Sequence, residues 1–178
     1  MNCYVVFVKT GYEHKVANEI TCIWQVGDIR PFVPTYEACF RKSGKVFLER
    51  RRLMPGYVFI ESSMCGQDFY LSVVHSIKRS EYSLKLLRNG CEHWDSNFEM
   101  NSDDYVLIKK LINDSSCIEM SQGFIKRAKI VVTNGPLTGA EGLIKKINRH
   151  KMEAAIDIRF MGTVREMTVG LEIIKSVP

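Results

Sequence analysis

A chain of 178 residues, 46% apolar and 25% charged, is long enough for one domain or two and has the composition of a soluble globular protein. No apolar run approaches the roughly 20 residues of a membrane span, and the N-terminus lacks a basic-then-apolar signal sequence, so a cytoplasmic location is expected. The formal charge of +5 is unevenly placed: residues 1–122 carry 15 Lys+Arg against 15 Asp+Glu, and residues 123–178 hold the remaining 10 and 5, which suits a phosphate-attracting domain and a solvated basic face equally well.

Cys3 to Val8 is a continuous β-branched and aromatic run and reads as a central strand. Gly11 breaks it. From Glu13 the residues Val16, Ala17, Ile20 and Trp24 recur at helical spacing as far as Gly27, and strand followed by amphipathic helix suggests an α/β layer. Phe32 to Phe40 reads as a second strand, Lys42-Ser43-Gly44-Lys45 as a turn and Val46 to Leu53 as the return, a hairpin with a charged tip. After Arg50-Arg51-Arg52, Pro55-Gly56 marks a bend before Tyr57-Val58-Phe59-Ile60, where alternation sets Tyr57 and Phe59 on one side and Val58 and Ile60 on the other. With helices over Val58 and Ile60, the residues Tyr57, Phe59 and Met54 form either an exposed apolar patch, of the kind that marks a partner site, or a core facing a second layer. Periodicity by itself favours the second reading.

Asp68 to Val74 is expected as a short helix, His75 to Ser80 as a polar loop and Leu84 to Leu87 as a short edge strand. A last helix opens at a cap-like Ser102 and runs through Leu107, Ile108, Leu111 and Ile112; Asp103 and Asp104 are favoured in its first turn by the helix dipole and read as helix-start residues rather than a catalytic pair. Residues 115–122 have turn formers and little periodicity and read as a linker between domains 1–114 and 123–178. Beyond Gly123, strands are expected at Lys129 to Thr133, Gly142 to Asn148, Met152 to Phe160, Thr163 to Val169 and Glu172 to Ile174, as in a small barrel. Within it, the glycine-punctuated stretch Asn134 to Gly142 leads into the apolar positions Leu143, Ile144 and Ile147, and Lys145, Lys146, Arg149, His150 and Lys151 crowd together around them.

The cysteines lie far apart without a Cys-x-x-Cys pair or a His cluster, so reduced thiols and no metal site are expected. His150, a lone histidine beside cations, suits surface hydrogen bonding better than metal ligation. Gly135-x-x-x-Gly139-x-x-Gly142 lacks the Lys-Ser/Thr of a phosphate loop, and neither Gly-x-Ser-x-Gly nor His-Glu-x-x-His occurs, so nothing points to an enzyme or a cofactor.

Two stretches together resemble the NusG family of transcription elongation factors. Arg52-Leu53-Met54-Pro55-Gly56-Tyr57-Val58-Phe59-Ile60 is similar to the family's aromatic-Pro-Gly-Tyr strand, and it is preceded by Phe32-Val33-Pro34-Thr35-Tyr36-Glu37 and by Tyr4-Val5-Val6 with Lys9 to Lys15. Gly135 to Ile147 with Phe160-Met161-Gly162-Thr163 is similar to the KOW motif. Within the family, Gly135-Pro136-Leu137, Glu141-Gly142 and Asn148-Arg149-His150-Lys151 look most like LoaP, a specialised subgroup of processive antiterminators. The resemblance implies an α+β chain: a ferredoxin-like N-terminal domain followed by a small all-β SH3-like KOW barrel. It implies that the N-terminal domain grips the clamp helices of RNA polymerase through Phe7, Met54, Tyr57 and Phe59, that His75 and Ser76 fall at the gate loop, and that non-template DNA is a further contact.

It further implies a KOW domain that binds a hairpin in nascent leader RNA, for which Lys126, Lys145, Lys146, Arg149, His150, Lys151 and Arg159 are the candidates. Any single lysine reads as solvated surface, whereas the Lys145 to Lys151 group reads as functional, with Arg149 best suited to a planar, forked contact. A monomer is expected, with no membrane partner. Cys3 stands where the family usually has Trp, Met54 where it usually has an aromatic, and Leu137 and Ala140 where housekeeping members commonly have aromatics that dock on Rho or a ribosomal protein. A general elongation factor, or a ribosome-associated KOW module without specific RNA recognition, is the alternative; affinity of the N-terminal domain for polymerase separates the two classes.

Overall fold

The computed structural model describes residues 1–23, 29–43, 45–89 and 97–174, apart from the side chains at positions 41, 42, 76 and 84. Trp24, Gly27 and Gly44, expected at the end of the first helix and in the hairpin turn, lie outside the described residues. The elements in chain order are β1 (Asn2–Val8), α1 (Glu13–Ile23), β2 (Ile29–Phe32), β3 (Thr35–Lys42), β4 (Lys45–Arg52), β5 (Tyr57–Ser62), α2 (Gly66–Arg79) and β6 (Ser83–Leu86). They continue with α3 (Ser102–Leu111), β7 (Cys117–Ile118), β8 (Ser121–Lys126), β9 (Lys129–Asn134), β10 (Ile144–Asn148), β11 (Glu153–Phe160) and β12 (Thr163–Ile173). The chain forms two compact units, one of Met1–Val33, Met54–Val106 and Arg159–Thr163, the other of Pro34–Leu53, Leu107–Ile158 and Val164–Pro178.

In the first unit a four-stranded sheet has the order β2-β5-β1-β6, with every neighbouring pair antiparallel. β1 sits inside the sheet and is covered on both faces, which is why its sequence is an unbroken apolar run rather than an alternation. On one face Tyr4, Val6, Val8, Val58 and Ile60 meet Val16, Ala17 and Ile20 of α1 and Phe69, Val73 and Ile77 of α2. Tyr4 and Phe69 stack with ring centroids 3.7 Å apart.

Three expectations need correction here. α2 does not stop at Val74 but continues through His75 and Ser76 to Arg79, because Ile77 extends the Phe69 and Val73 stripe by one more turn and Lys78 and Arg79 suit the negative end of the helix dipole. The strand expected over Phe32 to Phe40 is two strands parted at Val33-Pro34, since Pro34 has no N–H for the ladder and its carbonyl instead accepts from Leu53 N at 2.9 Å. The cap of α3 is Asn101 rather than Ser102: Asn101 Oδ1 accepts from the Asp103 N–H at 2.9 Å.

In the second unit β3 and β4 form an eight-pair hairpin from Thr35 opposite Arg52 to Lys42 opposite Lys45, and β7 lies parallel to β3 on its other side. Residues 115–122, expected to be irregular, thus contain β7 and the start of β8, with Cys117, Ile118 and Ser121 buried. A two-residue strand held by a partner some 80 positions away leaves no local periodicity to read.

A five-stranded sheet follows, in the order β10-β11-β12-β8-β9. β8 was hidden by its turn-like Ser121-Gln122-Gly123, β12 runs unbroken where two strands were expected, and β10 starts at Ile144 after a short 3-10 turn over Glu141–Leu143. Gly135 has φ +96°, and a Cβ there would lie 2.7 Å from Ser121 Cα. Gly135→Ala is therefore expected to cost about 2–3 kcal/mol through backbone strain and overpacking, read as a lower urea midpoint with an unchanged m-value.

Candidate functional site

The aromatic-rich surface starts from a buried carboxylate. Glu13, in the first turn of α1, is fully buried; its Oε2 accepts from Gly11 N at 3.0 Å and its Oε1 from Gly56 N at 2.7 Å. Gly56 has φ +86°, its carbonyl accepts from Val8 N at 2.8 Å, and a Cβ would stand 3.2 Å from Thr10 Oγ1 and 3.3 Å from the Phe7 ring. The Pro55-Gly56 turn is thereby held against the end of β1, which sets Tyr57 opposite Phe7 in register with rings 5.4 Å apart. Sequence reasoning missed Glu13, because a carboxylate in a first helical turn is ordinarily a solvated dipole partner.

Phe7, Met54, Tyr57 and Phe59 do come together, yet not as an exposed patch. Phe59 is 0% and Met54 7% exposed, while Phe7 and Tyr57 are half-buried. Phe32 stands 5.4 Å from Phe59, and Phe160 stands 5.2 Å from Tyr57 and 5.7 Å from Phe59. The second-layer reading thus holds for Met54 and Phe59, whose large apolar side chains gain most from leaving water.

Farther along the same face, Tyr105 donates a hydrogen bond to the buried Glu61 carboxylate; burial first, then this neighbouring acid, pushes the phenol well above its ordinary range. Asp104 is also buried, which raises its carboxyl, and the Arg159 charge partly offsets that rise. Arg159, a candidate for RNA, therefore has a carboxylate to answer inside the first unit. His75 is exposed on α2, and the side chain of Ser76 lies outside the described residues.

The cations of the second unit gather on β10 and the turn after it. A register shift between Ile144 and Lys146 leaves both Lys145 and Lys146 exposed. Lys145 Nζ is 3.5 Å from Asp157 Oδ2, whereas Lys146, Arg149, His150 and Lys151 form no ion pair among the described residues. The turn is fixed by Asn148 Oδ1, which accepts from Lys151 N at 3.1 Å, and by the Met152 carbonyl, which accepts from Leu171 N at 2.9 Å. Lys126 is not in this group; it opens the β8–β9 hairpin, whose two central residues, Arg127 and Ala128, have φ +49° and +63°. That is the pattern of a turn normally made by Asn-Gly, and each non-glycine residue in it costs about 1–2 kcal/mol.

Arg127 and Lys129 are exposed cations that the sequence reading did not single out; two strands separated by two residues were the available signal. Leu137, at a position where an aromatic anchor was expected in relatives, is fully buried and donates its N–H to Ser121 Oγ at 3.2 Å. Among the described residues no group of three or more His, Cys, Asp or Glu side chains is placed to hold a metal ion, and no helix is long and apolar enough to cross a membrane.

The family model described as transcription termination factor nusG matches residues 1–94. The chain is similar to the transcription termination/antitermination protein NusG of Bacillus subtilis (strain 168), 26% identical over 184 residues that cover 96% of this chain and 94% of that protein. It is likewise similar to the NusG protein of Halalkalibacterium halodurans, at 24% identity over 96% of this chain and 94% of that one, and to that of Borreliella burgdorferi, at 20% over 98% and 97%. A mixed α/β chain with three helices and mostly sheet among its described residues, whose matched segment carries the β1 to β6 sheet, agrees with the family's N-terminal domain. The chain belongs to the NusG family of transcription termination/antitermination factors.

Proposed function

We propose that this protein is an antitermination factor of the LoaP type, in which a ferredoxin-like domain over residues 1–114 holds RNA polymerase and an SH3-like KOW barrel over residues 123–178 holds a hairpin in nascent leader RNA. One observation carries the RNA half: Lys146, Arg149, His150 and Lys151 are exposed on one edge strand and its turn, with no carboxylate paired to them among the described residues. RNA stems are read through phosphates and 2′-hydroxyls because the deep A-form groove excludes most side chains, and cations on a rigid strand suit that. Arg149 offers a planar fork to phosphate or guanine, while the lysines supply affinity that falls with salt. Lys145 and Arg159, each with a carboxylate nearby, contribute less.

On the polymerase side, Phe7 and Tyr57 supply the accessible aromatic surface, with Met54 and Phe59 beneath them fixing its shape, and His75 and Ser76 of α2 lie toward the gate loop. Non-template DNA is a further contact of the same domain. Holding polymerase and an RNA element together restricts loading to transcripts that carry the element, and binding to the closed clamp disfavours the open, paused state. The protein acts as a cytoplasmic monomer.

The test is separability in the full chain. Phe7→Ala with Tyr57→Ala should weaken polymerase binding roughly 30-fold, the scale of losing an aromatic hot spot, and leave affinity for a leader hairpin within about twofold. Equal polymerase retention by wild type and variant in a pull-down would remove the polymerase assignment.

A further inference from the structure

The two basic hairpin tips of the five-stranded sheet point the same way. β11 returns antiparallel on β10, β12 follows β11 through the two-residue turn at Met161 and Gly162, β8 runs parallel to β12, and β9 returns antiparallel on β8. The β10–β11 turn and the β8–β9 turn therefore lie at one end of the sheet. They are not side by side. The bond from Leu171 N to the Met152 carbonyl sets the level of the first turn, Leu171 faces Ser121, and Lys126 lies five residues farther along β8, about 16 Å at the rise of a strand. In strand order the midlines of the two hairpins are three strand spacings apart, roughly 14 Å along the sheet at the usual spacing of paired strands.

Both tips are cationic, and no carboxylate among the described residues is ion-paired with them. Lys126, Arg127, Lys129, Arg149 and Lys151 are exposed and form no ion pair among the described residues. The neighbouring carboxylates are engaged elsewhere: Glu153 Oε1 is 3.7 Å from Arg51 Nη1, and Glu172 Oε2 accepts from Gln122 Nε2 at 3.0 Å. The β8–β9 tip is also built against local preference, with Arg127 and Ala128 in the left-handed region where Asn-Gly would be relaxed. Strain kept at an exposed apex that carries a cation argues from an observed outlier toward a role.

We propose that Lys126, Arg127 and Lys129 form a second phosphate contact, which reaches phosphates of an RNA stem not adjacent to those held by the β10–β11 turn. This rests on the reading of residues 123–178 as an RNA-binding domain. The separation of the tips is several times the axial rise between neighbouring phosphates on one strand of a duplex, roughly 3.4 Å in B-form DNA. The two tips then straddle a groove, and the wide, shallow minor groove of an A-form stem presents phosphates and 2′-hydroxyls on both sides. A flexible single strand holds no such fixed distance.

The experiment uses the full chain as wild type, as Arg127→Asn with Ala128→Gly, and as Arg149→Gln, titrated with a generic RNA stem-loop and with oligouridine over a range of salt. The double variant should melt about 2–4 °C higher, because the turn is relaxed. It should bind the stem-loop roughly tenfold more weakly, with a log affinity against log salt slope reduced by about 0.7–0.9, and change little toward oligouridine. A gain in stability with a loss of binding excludes misfolding as the cause. Unchanged stem-loop affinity and slope, while Arg149→Gln weakens binding, would overturn the second contact and leave the RNA-binding reading intact. Equal losses toward oligouridine would overturn the straddled groove, and a wild type that binds neither RNA would overturn the RNA-binding reading itself.

Discussion

Glu13→Ala is expected to lower stability by about 3–5 kcal/mol, a drop in melting temperature on the order of 10 °C, and to weaken polymerase binding with it. The side chain is fully buried and accepts from two backbone N–H groups, those of Gly11 and Gly56. Truncation orphans the buried Gly56 donor, at roughly 1–3 kcal/mol, releases the exposed Gly11 N–H to water at a smaller cost, and removes buried methylenes besides. Glu13→Gln keeps one acceptor oxygen and should recover about half the loss. The functional consequence follows from position. The Gly56 turn sets Tyr57 opposite Phe7, so a loosened turn blurs the aromatic surface even where the rest of the sheet survives. Urea denaturation followed by circular dichroism checks the stability, and polymerase pull-down below the melting range checks the surface. An alanine variant with the wild-type midpoint would mean that Glu13 is not the clamp its geometry describes.

The second large effect is expected from Lys146→Glu combined with Arg149→Glu. Both side chains are exposed, and neither forms an ion pair among the described residues, so the fold should keep its melting temperature within about 1–2 °C. Hairpin binding should fall by on the order of a hundredfold or more near physiological salt, since two phosphate contacts are lost and two like-charge repulsions replace them. The salt slope should also drop, by roughly 0.7–0.9 for each contact removed. Polymerase binding should be unchanged. Lys145→Glu alone is the internal control: Lys145 already faces Asp157 at 3.5 Å, so its reversal should move RNA affinity less than that of Lys146. A double variant that binds the hairpin as wild type does would place the RNA site elsewhere.

The local chemistry of the sequence carried much of this. β1 was legible because a doubly covered strand must be apolar throughout, and α1 because its buried stripe repeats at helical spacing. The excess of cations beyond residue 123 and their crowding from Lys145 to Lys151 are properties of composition and needed no fold to be seen. The segment around β7 and β8 was not legible, because two-residue pairing with a distant strand and a turn-like composition leave no periodic trace. Nor were the burial of Phe59 and Met54, the role of Glu13, or the shared orientation of the two basic tips.

Those features depend on which remote atoms close over a side chain, and alternation along a strand specifies the side on which a residue lies but not what covers that side. Sequence by itself determined the family, the helical and strand texture and the place of the charge, because these follow from residue type and spacing along the chain. Tertiary structure alone decided which aromatics remain accessible, which carboxylates are buried and which cations stand unpaired, because desolvation and ion pairing depend on neighbours that are close in space and far apart in sequence.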